Sequence, residues 1–256
     1  MRVAVGQEVG VLGDISANLQ RMEELAREAI RVGADLLVLP ELFLTGYNLG
    51  DAVSHLAEPA DGAAALKVAD IARTFGIAIA YGFPERTATD FFSSAALIDR
   101  NGRMIDCYRK AHLWGAWEQH WFKPGGAPRI FDFDGLRTAF LICYDLDFPE
   151  MVQELARHGA ELVIAISATT EPYQVVPRHV IPARAYENRL FMIFANRCGS
   201  EKDLDYVGES CIHAPDGSCI VQAGPAPTLV VGEIDRHSFA RYLNIHAQGS
   251  SSAAGI

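Results

Sequence analysis

Short apolar runs alternate along the chain with longer segments of helical periodicity. Val3 to Gly6 is an apolar run of strand length. From Asp14 to Val32, apolar residues recur at spacings of three and four, which predicts an amphipathic helix. Leu36 to Leu39 is again continuously apolar and is stopped by Pro40. Because an apolar run without polar alternation is typical of a strand buried on both faces, this region indicates a β-α-β unit.

The same alternation continues to the end of the chain. Helical periodicity from Gly62 to Phe75 is followed by an apolar run from Ile77 to Tyr81. Asn101-Gly102 and Asp134-Gly135 stand between strand-like runs, and such dipeptides indicate hairpin turns. Further helices are predicted at Pro149 to His158 and Pro177 to Asn188, and further strands at Phe92 to Ile98, Met104 to Tyr108, Ile130 to Phe133, Arg137 to Cys143, Leu162 to Ile166, Phe191 to Asn196, Gly208 to Ala214, Ser218 to Gln222 and Leu229 to Ile234.

Strands outnumber helices in this pattern, which favours sheets packed on each other with helices outside. We find no linker or change in composition that would divide the chain, so residues 1–245 are predicted to form one domain. The tail, residues 246–256, is small and polar. We expect it to be flexible or to become an arm that a partner chain orders. Lys110 to Pro128 is rich in aromatic residues, glycine and proline, and is predicted to be a long functional loop.

Composition narrows the class of protein. Half of the 256 residues are hydrophobic, which is ample for a sizeable core. The net charge is -10 and no basic stripe is visible, so we expect no nucleic-acid partner. No apolar run reaches the length of a membrane span, and the start does not resemble a signal peptide. Five cysteines without C-x-x-C pairs argue against a disulfide framework, so we expect a protein of the reducing cytoplasm.

Three predicted strands end abruptly in a group that can do chemistry. Cys143 follows the run from Ala139 to Ile142 and precedes a helical pattern. The N-terminus of that helix would favour a reactive thiolate, although a cysteine that only closes a buried strand is the alternative. Glu41 follows Leu36 to Pro40 and enters further apolar sequence. Its burial would raise its pKa and suit a general base; the alternative is a structural carboxylate that accepts hydrogen bonds from backbone N–H groups in the turn.

The third such group is Lys110, which leaves a strand and enters the aromatic loop. A lysine among apolar groups needs an anionic partner and can stabilise an oxyanion, whereas a solvated lysine at the end of a strand is the alternative. Histidine is the usual base for a cysteine nucleophile. His112 and His120 lie in the aromatic loop and neither stands at an abrupt strand end, so a Cys–His pair has no particular support.

The three strand ends resemble the Glu–Lys–Cys triad of the nitrilase superfamily of carbon–nitrogen hydrolases. The resemblance extends from Val3 to Ile234. It implies a four-layer α-β-β-α sandwich of the α/β class. The segments that carry it are PELFLTGY around Glu41, YRKAHLW around Lys110, LICYDLDFPE around Cys143, PARAYENRLFMIFANRCG from Pro182 to Gly199 and VGESCIHAPDG from Val207 to Gly217.

The resemblance implies a role for each residue of this set. Cys143 would be the nucleophile and Glu41 the general base, while Lys110 and the backbone N–H of Tyr144 would hold the oxyanion. Glu118, eight positions after the lysine, matches a second glutamate of the family that orients the substrate amide. The expected reaction is hydrolysis of an amide through a thioester, without a metal or an organic cofactor.

Residues around the motifs are assigned supporting roles. Asp147 is expected to cap the helix that Pro149 begins. Arg184, Glu187 and Asn188 resemble a helix of the family and are expected to form a buried polar network. The candidates for the substrate pocket lie on loops after the motifs and are Tyr47, Trp117, Phe148, Thr169, Thr170 and Tyr173.

The sequence defines the substrate only as a broad chemical class. Tyr144-Asp145 follows the nucleophile, whereas true nitrilases more often have Trp-Glu there, so a small aliphatic or amino-acid amide is favoured. A nitrilase, an ω-amidase or an N-carbamoyl hydrolase is the alternative within the same chemistry. A non-catalytic binding protein on this fold, or a thiol redox protein using Cys143, is the alternative outside it. The family resemblance also implies a homodimer or higher homo-oligomer, formed through the face that carries the helix after the nucleophile.

Overall fold

Strands predominate in the computed structural model, which describes residues 1–243; the predicted tail, residues 246–256, lies outside the described residues. The strands are β1 (Arg2–Gln7), β2 (Leu36–Val38), β3 (Ala78–Arg86), β4 (Phe91–Ile98), β5 (Met104–Arg109), β6 (Phe131–Phe133), β7 (Leu136–Ile142), β8 (Leu162–Ser167), β9 (Phe191–Asn196), β10 (Cys198–Glu201), β11 (Leu204–Val207), β12 (Cys211–His213), β13 (Cys219–Gln222) and β14 (Thr228–Glu233). The α-helices are α1 (Ile15–Arg31), α2 (Val53–Leu56), α3 (Ala63–Phe75), α4 (Gly115–Trp121), α5 (Pro149–Arg157), α6 (Ile181–Asn188) and α7 (Ala240–Leu243).

Two six-stranded sheets form the centre of the fold. The first has the order β14-β1-β2-β3-β4-β5 and the second the order β13-β12-β9-β8-β7-β6. β1, β2 and β3 run parallel in the first sheet, and β7, β8 and β9 run parallel in the second. The predicted hairpins β4–β5 and β6–β7 are both confirmed.

The alternation of side chains along the strands explains the layers. In β1, Val3 and Val5 face the core between the two sheets, whereas Ala4 faces the cluster formed with α1 and α3. In β7, Phe140 belongs to the core between the sheets and Leu141 packs with α5 and α6. Since every central strand is covered on both faces, its sequence is continuously apolar. The expected four-layer α-β-β-α sandwich is confirmed.

Local signals place the long helices correctly. The Asp14 side chain accepts a hydrogen bond of 2.9 Å from the N–H of Ala17 and caps α1. Gly76 adopts a left-handed conformation directly after α3, a position for which glycine has no steric cost.

Among residues 1–243, no helix has the length and apolar composition that crossing a membrane requires.

Several predicted boundaries are wrong. The loop from Lys110 to Pro128 contains α4, and the helix predicted from Pro177 begins instead as a π-turn, Val176–Val180, that continues into α6. The strand predicted from Gly208 to Ala214 is limited to β12. The hairpin β10–β11 was missed, because its strands are four residues long and partly exposed and therefore show little apolar periodicity.

Candidate active site

Cys143 lies where β7 ends and a 3₁₀ turn, Cys143–Asp147, begins. Its φ is 47°, in the left-handed region that residues with a side chain rarely adopt. Such a conformation costs ~1–3 kcal/mol and is found mainly where the surrounding structure imposes it at a functional site. The turn brings Cys143 into the wall of a cavity, next to Tyr144 and Thr169.

Lys110 lies between two carboxylates. Its Nζ is 2.8 Å from Oε1 of Glu41 and 2.7 Å from Oε1 of Glu118, and all three residues are 0% exposed. Glu41 follows β2, and Lys110 follows β5. Because β2 and β5 run in the same direction through the pairing of β2, β3, β4 and β5, their carboxyl ends share one edge of the sheet.

The two carboxylates keep Lys110 charged. Burial by itself lowers the pKa of Lys110, but Glu118 and Glu41 outweigh burial and hold this pKa well above its usual value. The ammonium is therefore a permanent positive charge inside the protein. A buried cation held by two hydrogen bonds can stabilise a negative charge that develops beside it.

Glu41 has one occupied oxygen and one free oxygen. Oε1 accepts hydrogen bonds from Lys110 and, at 3.3 Å, from Oγ of Ser93. Oε2 is buried and has no hydrogen-bond partner among residues 1–243. Burial raises the pKa of Glu41, while Lys110 and the nearby thiol of Cys143 lower it. A carboxylate with a free oxygen near a thiol and a raised pKa is suited to accept the thiol proton.

The thiol is neutral at rest, contrary to the expectation that the helix N-terminus favours a thiolate. Burial, as the larger cause, and the negative charge of Glu41 together raise the pKa of Cys143 to about 12. Lys110 opposes this shift. The sulfur is 4.0 Å from Oγ1 of Thr169. Since a neutral thiol is a poor nucleophile, attack by Cys143 requires a base that removes its proton.

Glu118 is held by partners on all sides. Its Oε1 accepts hydrogen bonds from Lys110 and, at 2.6 Å, from the hydroxyl of Tyr47, and its Oε2 accepts one of 2.7 Å from the N–H of Trp114. Burial and the charge of Glu118 raise the pKa of Tyr47 well above its usual value, so Tyr47 remains a donor. Glu118 therefore has a fixed position in the same cluster as Glu41 and Lys110.

A small cavity of about 50 Å³ opens above Cys143. Most of the predicted pocket residues line it, but two do not. Trp117 packs behind Tyr47 with a ring-centroid distance of 5.2 Å, and Phe148 stacks on His112 at 3.7 Å. The lining residues are Tyr47, Trp114, Cys143, Tyr144, Asp147, Ala168, Thr169, Thr170, Tyr173 and Val176.

Asp145 connects the nucleophile turn to the lysine segment. It is fully buried and accepts hydrogen bonds from the N–H of Ile142, the hydroxyl of Tyr108 and the N–H of His112, at 3.0, 2.8 and 2.9 Å respectively. Its carboxylate thus satisfies two backbone N–H groups and one hydroxyl. It thereby holds Cys143 in position relative to the strand end that carries Lys110.

A buried ion pair behind the site was missed by the sequence analysis. Arg197 contacts Glu201 and donates a hydrogen bond of 3.4 Å to the backbone carbonyl of Glu41. Glu201 in turn accepts hydrogen bonds of 2.9 Å from the N–H groups of Tyr47 and Asn48 and from the hydroxyl of Tyr206. The pair therefore supports both Glu41 and Tyr47. Arg197 and Glu201 flank a short, partly exposed strand, and nothing in the local sequence distinguishes them from ordinary surface charges.

Two glycines allow the backbone to approach the site closely. A Cβ on Gly82 would meet the carbonyl oxygen of Pro40 at 2.7 Å and Cα of Glu41 at 2.8 Å. A Cβ on Gly125 would clash with the backbone of Arg109, and the N–H of Gly125 donates a hydrogen bond of 2.7 Å to the carbonyl of Lys110. Neither glycine lies in a motif that the sequence analysis identified.

Two supporting assignments are corrected. Phe148, not Asp147, occupies the N-cap of α5, and no side chain caps this helix, because Asp147 belongs to the preceding 3₁₀ turn. The expected buried network of Arg184, Glu187 and Asn188 is also wrong. Arg184 and Glu187 form a 3.3 Å ion pair in which the Glu187 side chain is exposed, and only Asn188 is buried.

Potential metal ligands are not clustered in the described part of the chain. Within residues 1–243, no group of three or more His, Cys, Asp or Glu side chains could hold a metal ion.

Comparison with known proteins identifies the family. The family description "Carbon-nitrogen hydrolase" matches residues 2–242. The chain is 44% identical over 239 residues to "Hydrolase in pqqF 5'region" of Pseudomonas protegens, covering 92% of this chain and 83% of that protein. It is 36% identical over 237 residues to an (R)-stereoselective amidase of a Pseudomonas species, covering 92% and 85%.

Solved structures agree with this result. The NitN amidase of Nesterenkonia sp. AN1 has a TM-score of 0.88 and 32% sequence identity, with 98% of each chain covered. Mutants of that amidase have been solved with the acetamide moiety of fluoroacetamide added covalently to the active-site cysteine, and in complex with butyramide. The match over nearly the whole chain, together with the cluster of Glu41, Lys110 and Cys143, shows that this protein belongs to the carbon–nitrogen hydrolase family.

Proposed function

We propose that the protein hydrolyses a small carboxylic amide to a carboxylate and ammonia through a thioester on Cys143. One observation carries this proposal. Oε2 of Glu41 is buried and unpartnered among the described residues, near a thiol whose proton must be removed, while Oε1 is held by Lys110. The arrangement supplies a base and a fixed positive charge, both buried, beside a nucleophile that lines the cavity.

The first half of the reaction forms the thioester. Glu41 takes the proton of the Cys143 thiol, and the sulfur attacks the carbonyl carbon of the amide. The carbonyl π electrons move to oxygen, which becomes an oxyanion. Lys110 and the N–H of Tyr144 stabilise this oxyanion; the latter lies in the first turn of a 3₁₀ helix, where N–H groups lack partners within the helix.

The second half releases both products. Glu41 returns its proton to the amide nitrogen, the C–N bond breaks and ammonia leaves. Glu41 then removes a proton from water, the hydroxide attacks the thioester, and the C–S bond breaks with return of the proton to sulfur. The carboxylate product leaves and the thiol is restored.

Glu118 and Tyr47 are assigned to positioning of the substrate and of Lys110. Glu118 already accepts hydrogen bonds from Lys110, Tyr47 and Trp114. A fixed carboxylate at this place can also accept a hydrogen bond from the substrate NH₂ group and orient the carbonyl for attack. We propose that Thr169 and Thr170, which line the cavity together with Cys143, contact the acyl group.

The size of the cavity supports a small acyl group. A volume of about 50 Å³ is space for only a few atoms, since a single water needs roughly 10–15 Å³ on this measure. The similarity to two amidases supports an amide as the substrate. A nitrilase, an ω-amidase or an N-carbamoyl hydrolase would use the same cluster and is distinguished by the substrate.

The test is acyl transfer to hydroxylamine with a panel of amides, nitriles and carbamoyl compounds. We expect hydroxamates from small amides, a thioester on Cys143 detected by mass spectrometry, and loss of both in Cys143→Ala. Lys110→Ala removes an oxyanion donor and should lower kcat by ~10²–10³. Lack of any adduct with every member of the panel would refute the proposal and leave the non-catalytic alternative.

We also propose that the protein acts in the cytoplasm and as a homodimer or higher homo-oligomer. All five cysteines are free, which is compatible with a reducing compartment. The outer layer that α5 and α6 form on the side of the nucleophile turn contains a groove between the two helices and, on α6, an exposed aromatic residue, Tyr186.

A further inference from the structure

Two hydroxyl groups lie beside the sulfur of Cys143, and none of the reaction steps above uses them. Oγ of Ser167, the last residue of β8, is 2.7 Å from Oγ1 of Thr169, and Oγ1 of Thr169 is 4.0 Å from Sγ of Cys143. Ser167 is fully buried and Thr169 is 8% exposed. We call Ser167 and Thr169 the hydroxyl pair.

Backbone and amide groups hold the hydroxyl pair in place. The N–H of Thr169 donates hydrogen bonds of 3.2 Å to Oγ of Ser167 and of 2.8 Å to Oδ1 of Asn196. The side-chain NH₂ group of Asn196 donates in turn to the carbonyls of Thr169 and Gly208, at 3.3 and 2.9 Å. Asn196 is fully buried at the end of β9, which pairs with β8. The position of the pair is therefore fixed by the second sheet, from which the nucleophile also projects.

The number of hydrogens on the hydroxyl pair exceeds what the pair itself can use. Each hydroxyl carries one hydrogen, and the 2.7 Å contact uses one of the two, whichever residue donates it. One hydrogen is left over. Within residues 1–243, Sγ of Cys143 is the only acceptor outside the pair that either hydroxyl contacts. One O–H is therefore always available to the sulfur.

The sulfur is able to accept this hydrogen. Burial raises the pKa of Glu41, and a hydrogen bond from the Cys143 thiol is among the causes that lower it, so the thiol proton is directed to the base. Burial also raises the pKa of Cys143 most strongly, while Lys110 and a hydrogen bond from Ser167 lower it. Glu41 and Glu118 are the carboxylates that raise it. A thiolate here thus faces two negative charges, and one cation and the hydroxyl pair support it.

We propose that the hydroxyl pair stabilises the thiolate of Cys143: its spare O–H donates to the sulfur when Glu41 removes the thiol proton, and again when the C–S bond of the thioester breaks. No proton leaves the pair. The hydrogen bond strengthens as the sulfur becomes negative, because hydrogen bonds to ionised groups are stronger than those between neutral groups. This inference rests on the proposed function and deepens it.

The hydroxyl pair has a property that a single donor would lack. If Ser167 is removed, the hydrogen of Thr169 is free to donate to the sulfur, and if the hydroxyl of Thr169 is removed, the hydrogen of Ser167 is free. Each residue can therefore replace the other. The hydroxyl of Thr169 can act on the sulfur while the rest of its side chain contacts the acyl group, because the acyl group is attached to that sulfur.

Ser167→Ala, Thr169→Val and the double variant test the proposal, and valine keeps the shape of threonine. Each single variant loses only the orientation that one hydroxyl gives the other, so kcat should fall by no more than about 3-fold. The double variant loses the hydrogen bond to a charged group, and its kcat should fall about 30-fold. KM should change by less than about 2-fold, because the pair acts on the sulfur and not on the bound amide.

Methyl methanethiosulfonate measures the thiolate without any amide. The sulfur of Cys143 gives up its proton and attacks the sulfenyl sulfur, a methyl disulfide forms and methanesulfinate leaves. Mass spectrometry of the peptide that contains Cys143 gives the rate, which should fall in the same order as kcat. Exposed Cys219 is the internal reference and should react equally fast in every variant. Unfolding would expose Cys143 and raise its rate, so a lower rate cannot come from loss of the fold.

Two further variants are the controls. Thr138→Val removes a fully buried hydroxyl at the other end of β7, where it donates a 3.1 Å hydrogen bond to the carbonyl of Leu136. It should keep the wild-type kcat and the wild-type rate of modification of Cys143. Ser167→Ala combined with Thr169→Ser keeps one hydroxyl, and its modification rate should match that of Ser167→Ala alone.

Two results would overturn the inference. One is a double variant that loses no more than the product of the two single losses, since the hydroxyls would then act independently. The other is an equal fall in Thr138→Val. If no amide is hydrolysed while the modification rates follow the expected order, the proposed function fails and the role of the hydroxyl pair stands. If amides are hydrolysed and the modification rates are all equal, the proposed function stands and the role of the hydroxyl pair fails.

Discussion

The chemistry of this protein depends on the protonation of three neighbouring residues, two of them fully buried and one in the wall of the cavity. Lys110 is charged because two carboxylates outweigh its burial, and Cys143 is neutral because burial and Glu41 outweigh the lysine. Glu41 is the group whose protonation state changes during the reaction, since burial and Glu118 raise its pKa while Lys110 lowers it. The activity should therefore follow the ionisation of Glu41.

The first prediction concerns the acid side of the pH profile. The base must be a carboxylate, and burial raises the pKa of Glu41 above its usual 4.5, so kcat/KM should fall as pH decreases through an apparent pKa above 4.5. Glu118→Gln removes a charge that raises this pKa and should move the acid limb to lower pH, besides lowering kcat. The measurement is kcat/KM against pH for both proteins.

An exposed acid on α5 provides the control for this profile. Glu154→Gln removes one negative charge far from the cluster, and the acid limb should stay in place. An acid limb that does not move in Glu118→Gln, or that moves to higher pH, would contradict the assignment of Glu41 as the titrating base.

The second prediction concerns the glycine beneath Lys110. In Gly125→Ala the new methyl group would meet the Arg109 backbone and lie 2.6 Å from its Cβ, so the strand end that carries Lys110 must shift. We expect kcat to fall at least ~10-fold, because displacements below 1 Å already disturb catalysis. Gly126→Ala is a matched control, since no atom lies within 4 Å of a Cβ there, and its kcat should equal that of the wild type. Equal kcat in both variants would refute the role of Gly125.

At the scale of elements, the hairpin β10–β11 joins the two sheets behind the cavity. Glu201 at the end of β10 holds the N–H groups of Tyr47 and Asn48, which follow a strand of the first sheet. β11 pairs with the segment after β8: the N–H of Val207 donates a 3.0 Å hydrogen bond to the carbonyl of Thr169. One hairpin therefore positions residues on both sides of the cavity.

The third prediction tests this hairpin. Glu201→Gln leaves the buried Arg197 without a counter-ion and should lower the free energy of unfolding by about 3–5 kcal/mol. Asp205→Asn on the same hairpin alters only an exposed contact with Ser200. It should change the free energy of unfolding by less than about 1 kcal/mol. Urea unfolding followed by circular dichroism measures both. A loss in Glu201→Gln no greater than in Asp205→Asn would show that the buried pair does not hold the hairpin.

At the scale of the whole molecule, the two outer helical layers differ. Tyr186 on α6 is 52% exposed, in the same outer layer as the groove between α5 and α6, whereas the opposite layer exposes Leu66 on α3 at 63%. The proposed homodimer uses the α5–α6 face. Its helix α5 begins directly after the nucleophile turn, so association there would support the position of Cys143.

The fourth prediction follows from this choice of face. Light scattering at micromolar concentration should show a dimer or a larger assembly for the wild type and a monomer for Tyr186→Glu, because a charge placed in an apolar contact is costly to desolvate. Leu66→Glu adds the same charge to the opposite layer and should leave the assembly intact. A monomeric wild type, or dissociation caused by Leu66→Glu, would contradict the proposal.

The sequence by itself determined most of the strands, the hairpins β4–β5 and β6–β7, the layered fold and the three strand ends that carry Glu41, Lys110 and Cys143. Buried strands require continuous apolar runs, and turns require particular residues, so both leave local signals. The family motifs added Glu118 by its spacing. The positions of the short, half-exposed strands β10 and β11 were not predictable, since they lack such a signal.

Only the tertiary structure decided how these groups act. The 2.8 Å contact of Lys110 with Glu41, the neutral thiol of Cys143 and the support from Arg197 join residues far apart in the chain. The structure also shows that Asp147 lines the cavity and does not cap α5. Local patterns record which residues are buried, but pKa values and substrate contacts depend on distances between segments, and folding alone sets those distances.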